Sequence, residues 1–166
     1  MVLSNSLAEI GTGLLCALLF ISVSWLVNRR LAGDGFHIDS YRLVLYAVTV
    51  FSLAITGEVT VNNLYRYFVG ESLWQYQVMP AYGHNLSLLA PLLWPAYGIH
   101  LYFVEQSLHQ RLPRLLRTPQ GHALLHGLDA PLVFEVSGNL IFLLLTGSYY
   151  AYYLPGDLFH LTSLRV

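Results

Sequence analysis

The chain has 166 residues, of which 55 % are hydrophobic and only 10 % charged, with a mean hydropathy of +0.54. That composition excludes an ordinary water-soluble globule and implies a polytopic membrane protein. The formal net charge is −1, and the eight basic residues, all arginine, form no dense patch; nucleic acid is not expected as a partner, and the lipid bilayer is.

Four apolar stretches are long enough to cross a bilayer, at residues 7–27, 43–63, 86–104 and 132–154. The expected fold class is therefore all-α: one integral membrane domain over residues 1–166. It should be a bundle of four transmembrane helices with an aromatic interfacial outer loop and an amphipathic inner connection. The first stretch has no basic residue before it and Arg29 and Arg30 after it, the reverse of a secretory signal, so it is expected to be retained. Gly11, Gly13, Ser22 and Ser24 within it suit close helix approach. Six of the eight arginines lie in the connections around residues 28–42 and 105–130. The positive-inside rule puts both connections in the cytoplasm and both termini on the non-cytoplasmic side.

In the second stretch Thr49, Ser52, Thr56 and Thr60 follow one side of a helix, and Glu58, Asn62 and Arg66 recur at intervals of four on another. The outer connection carries Trp74, Tyr76 and Tyr82, which belong at headgroup level. Pro91 and Pro95 predict a kinked or broken third helix. Leu108, Leu112, Leu115 and Leu116 of the inner connection suit a membrane surface with anionic lipid beside it. In the fourth stretch Glu135, Asn139, Thr146, Tyr150 and Tyr153 fall on one broad helical face. Glu58-Val-Thr-Val-Asn62 is echoed by Glu135-Val-Ser-Gly-Asn139. The first glutamate is expected near the outer end of its helix and the second near the inner end, which argues against a duplication.

A carboxyl in hydrocarbon costs about 2.5–3.5 kcal/mol on insertion scales, so it faces protein or a wet cavity and is a functional candidate. Glu135 is the principal acid or base candidate, with His100 or Glu58 as its counterpart. Asn139 and Asn62 are expected to orient a substrate, Arg66 to hold a polar head, Trp74 to cover it, and Trp94 with Tyr97 to form an apolar wall. His122 and His126, four apart, have a spacing that suits metal, but no second pair supports them; neither metal nor cofactor is expected. Cys16 stands alone, so no disulfide can form within the chain. Phosphate-loop, dinucleotide and nucleophile-elbow motifs are absent from the sequence.

The reading these residues favour is an integral membrane enzyme that isomerises, cyclises or hydrates an apolar, lipid- or isoprenoid-like substrate by proton transfer. Two other classes fit the pattern. One is a small structural or assembly subunit packed against a partner membrane subunit or its own copies. The other is a proton or ion conductor using the threonine and serine stripe.

Overall fold

A computed structural model describes residues 2–111 and 118–163. It is mostly helical, with α1 (Val2–Ala32), α2 (Ser40–Val69), α3 (Ala90–Arg111) and a fourth helix over Pro119–Thr146. The fourth is continuous through α4 (Pro119–Asp129), a π-helical turn (Ala130–Glu135) and α5 (Val136–Thr146). Three of the helices, α1, α2 and the fourth, are long and apolar enough to cross a membrane. α3 is long enough too, about 33 Å at 1.5 Å per residue. It is the central element: no side chain from Leu92 to Leu108 is exposed. A helix covered on every side needs no apolar outer face, which is why α3 can carry His100, Glu105 and Ser107.

Capping residues set the helix limits. Asp39 accepts from the backbone N–H of Tyr41 and Arg42 at 3.0 and 3.1 Å and starts α2, and Thr118 does the same for Gly121 in α4 at 3.1 Å. Gly70 and Gly147, at φ +90° and +72°, end α2 and α5 with their N–H on the carbonyls of Arg66 and Leu143. Of the kink or break expected from its prolines, α3 shows no break. Pro91 sits in the first turn, where no N–H is called for, and Pro95 removes a single rung of a helix supported by neighbours on all sides.

α3 packs between α1 and α2, and α5 packs on α1. α2 and α3 approach closely at Gly98, where an added Cβ would stand 2.6 Å from the Tyr46 carbonyl oxygen and 2.8 Å from Ala47 Cα. On the other flank Ser24 Oγ meets His100 Nδ1 at 2.7 Å, and Ser107 Oγ donates to Asn28 Oδ1 at 2.6 Å.

The expectation of an all-α fold needs one correction. β1 (Trp74–Tyr76) pairs antiparallel with β4 (Ala151–Tyr153), and β2 (Pro80–Ala81) pairs with β3 (Leu86–Ser87). These strands form a cap over one end of the bundle. The expected third span therefore begins later, at Ala90, because Leu86 and Ser87 are in β3. The fourth helix begins earlier, at Pro119, and stops at Gly147, so Tyr150 and Tyr153 do not lie on its face. Leu112, Leu115 and Leu116 lie outside the described residues.

The two halves of the chain repeat one pattern. After Glu58, the first half places Asn62 four residues on, the helix-ending Gly70 twelve on, and Tyr76, the last residue of β1, eighteen on. After Glu135, Asn139, Gly147 and Tyr153, the last residue of β4, follow at the same intervals. The strands pair about Gln75 and Tyr152, α1 and α3 meet at the centre, and α2 on α3 matches α5 on α1. This is an approximate two-fold arrangement of two helix–helix–strand units. It also corrects the expected depths: Glu58 and Glu135 each lie eleven residues ahead of the last residue of their helix, Val69 and Thr146.

Candidate functional site: a chamber between two carboxyls

A cavity of about 700 Å³ lies between α2, α3, the π turn with α5, and the cap. Its surface is overwhelmingly apolar, with Val50, Leu53, Leu93 and Phe134 among its walls, yet it includes Glu58 and Glu135. Trp74, Trp94 and Tyr97 line it as well, together with Tyr76 and Tyr153.

The side chain of Glu58 is 7 % exposed. Its Oε1 accepts from the Tyr76 hydroxyl and, at 3.1 Å, from Trp94 Nε1. Its Oε2 is buried with no partner, and so is Trp74 Nε1. Burying a polar atom without a partner is costly, so these two atoms are candidate contacts for a molecule in the chamber. Glu135 accepts from Thr162 Oγ1 at 2.6 Å and meets the Tyr153 hydroxyl. Each carboxyl thus has a strand tyrosine as donor. Burial, reinforced by the neighbouring carboxyls, pushes the Tyr76 and Tyr153 phenols well above their ordinary range, so both keep their protons at neutral pH.

The π turn helps set where Glu135 sits. Pro131 has no N–H to give to the preceding turn, and the ladder resumes with the wider Val136 N–H to Pro131 carbonyl bond. The added residue changes the facing of Phe134 and Glu135 relative to an unbroken α-helix.

Asn62 and Asn139 are almost completely buried, and each fastens a strand to its helix. Asn62 Oδ1 accepts from Leu73 N–H at 2.8 Å, and its Nδ2 donates to the Trp74 carbonyl at 3.1 Å and to Asn85 Oδ1 at 2.7 Å. Asn139 Oδ1 accepts from Ala151 N–H at 2.9 Å and Nδ2 donates to the Leu161 carbonyl at 2.6 Å. The two amides hold the starts of β1 and β4, whose last residues are the two tyrosines.

Several sequence candidates are placed elsewhere. His100 does not line the chamber and makes no hydrogen bond to Glu135; its Nδ1 meets Ser24 and its Nε2 stands 3.1 Å from Asp129 Oδ2. The expected Glu135–His100 pair is therefore not formed, because Asp129, six residues earlier on the fourth helix, takes the imidazole. Tyr97 stacks on Phe134 at 4.7 Å between ring centres, and its hydroxyl faces Asp129 without a well-formed hydrogen bond. Arg66 donates to Ser72 Oγ and so secures the turn after α2 rather than reaching Glu58. His122 and His126 converge on Glu105, which also receives the Tyr46 hydroxyl. Thr49, Ser52, Thr56 and Thr60 all lie on exposed surface, where Ser52 and Thr56 bond carbonyls of their own helix at 2.9 Å.

The partners that sequence reasoning missed are Tyr76 and Tyr153 as carboxyl donors. The signal was present in the equal interval of eighteen residues after each glutamate. Comparison with family models, with curated proteins and with solved structures finds no match to this chain.

Proposed function

We propose that the chain is an integral membrane enzyme that rearranges an apolar, lipid- or isoprenoid-like substrate by proton transfer within the chamber. In this reading all four helices cross the bilayer, the arginine-bearing connections face the cytoplasm, and the strand cap and both termini face the other side. The observation that carries the proposal is that carboxyls from corresponding positions of the two halves line one apolar cavity, and that Glu58 keeps an unfilled oxygen there. Retaining two acids at such depth is costly, and structural packing alone would be served by apolar side chains.

The chemistry follows from the placement. One carboxyl gives its proton to a carbon–carbon double bond, forming a C–H bond and a carbocation. The other removes a proton from a neighbouring carbon, breaking a C–H bond and restoring a double bond at a new position. The proton count is balanced, and proton exchange between the two acids resets the site. Trp74, Trp94 and Tyr97 line the chamber, and in this reading their aromatic rings stabilise the cationic carbon. Tyr76 and Tyr153 hold the two carboxyls in place, and Asn62 and Asn139 act through the strands that carry those tyrosines. The chamber lies between α2 and α5, and in this reading an apolar substrate enters it sideways from the bilayer between them.

The test uses solvent hydrogen as the label. Membranes containing the protein are incubated in heavy water and their lipids analysed by mass spectrometry. Wild type is expected to introduce deuterium at carbon in one apolar lipid class, and Glu58→Gln and Glu135→Gln to reduce that incorporation by about 100-fold or more. Glu71→Gln, in the exposed cap, should leave it unchanged. Equal labelling in wild type and both glutamine variants, or none in wild type, contradicts the proposal.

A further inference from the structure

At the end of the chamber away from the strand cap, two helices bring three ligand-type side chains together. Glu105 comes from α3, and His122 and His126 sit one turn apart on α4. Glu105 Oε1 lies 3.2 Å from His122 Nδ1 and 3.5 Å from His126 Nε2. All three donor atoms fall within 4.8 Å of one another. Two donors bound at about 2.0–2.1 Å to a tetrahedral ion stand about 3.3 Å apart, so both carboxylate–imidazole separations are already those of a shared metal.

Three features distinguish this from a chance surface cluster. Two imidazoles converge on one carboxylate oxygen, while the other oxygen, Oε2, accepts from the Tyr46 hydroxyl. A hydrogen-bonded outer partner of that kind fixes the orientation of a ligating carboxylate. Thr118 caps α4, and Pro119 begins it, so the helix that presents both histidines on one face is locally determined. Finally, Tyr46 and His126 belong to the chamber wall, and His126 Nδ1 is buried without a partner. The cluster therefore opens on the cavity, while the partial exposure of all three side chains leaves a way in for an ion.

We propose that Glu105, His122 and His126 form a two-histidine, one-carboxylate site for a divalent transition-metal ion of the zinc class. Three protein ligands leave at least one coordination position for water or for an oxygen of a molecule in the chamber, the arrangement of a site that polarises or anchors a ligand rather than a closed structural one. Among the described residues no second group of this kind occurs. The site stands independently of proton transfer by Glu58 and Glu135.

The experiment is metal titration of the tag-free, chelator-stripped protein in detergent, using Co(II) for its visible absorption and Zn(II) for elemental analysis after dialysis. One ion per chain is expected, with the intense visible bands of a four-coordinate cobalt site. Glu105→Gln, His122→Gln and His126→Gln should each weaken binding by about 100-fold or more, and Tyr46→Phe by about 10-fold. Each variant is checked for unchanged helical circular dichroism, and the near-isosteric Glu105→Gln guards against loss by misfolding. The exposed His37→Ala should bind as wild type does. Absence of stoichiometric metal in wild type, or binding that survives the three ligand variants, overturns the inference.

Discussion

Asn62 and Asn139 show how much structure a single buried amide can specify. Asn62 has no exposed surface and serves Leu73, Trp74 and Asn85 at once. Truncation to alanine leaves those partners buried and unpaired, at about 1–3 kcal/mol for each group. Unfolding in detergent should therefore show Asn62→Ala and Asn139→Ala strongly destabilised, while Asn63→Ala, one residue along on exposed surface, stays within about 0.5 kcal/mol of wild type. Equal effects at Asn62 and Asn63 would remove the clamp from the account. The glutamate–asparagine echo was legible in the sequence, but its meaning was not. Eighteen residues is about five helical turns, so with a helix assumed through residue 154 Tyr153 falls on the face of Glu135 by periodicity alone. The true contact arises because Gly147 stops the helix and β4 folds back over it.

At the scale of elements, hydropathy located the helices but not their neighbours. α3 has the least distinctive apolar pattern because it is enclosed, and its prolines suggested a break where packing on both sides maintains a continuous helix. Its polar residues were legible as candidates, yet which acid would meet which histidine depended on the start of the fourth helix at Pro119. Apolar windows miss that start, since α4 carries His122, His126 and Asp129. At Gly98 the α2–α3 contact leaves no room for a side chain. In Gly98→Ala the new methyl meets backbone of Tyr46 and Ala47, which cannot rotate away. Separation of the helices should cost about 1–3 kcal/mol or more in detergent unfolding. Gly11→Ala, with open space around the added methyl, should be neutral or slightly stabilising. A Gly98→Ala protein as stable as wild type would contradict the close packing.

For the whole molecule, the two-fold arrangement explains why a chain of this size can hold a chamber at all. Two helix–helix–strand units share α1 and α3 as a common centre, and the paired strands close one end, which leaves the space between α2 and α5 to be lined rather than filled. Gly57 and Gly138, each next to or three residues after a chamber glutamate, border that space, and a Cβ at either meets nothing within 4 Å. Gly57→Leu and Gly138→Leu should fill the chamber without unfolding the protein, since leucine is the better helix former by up to about 1 kcal/mol. The expected result is unchanged or raised thermal stability with loss of the deuterium incorporation described above.

The most direct measurement is native mass spectrometry of the tag-free protein released from its membrane, comparing wild type, Gly138→Leu and Glu135→Gln. An apolar molecule is expected on wild type, displaced in Gly138→Leu, and weakened or changed in identity in Glu135→Gln. A wild-type chain that carries no apolar molecule, or one that persists unaltered when the chamber is filled, would contradict the proposed function, and a partner polypeptide in its place would assign the buried carboxyls to assembly.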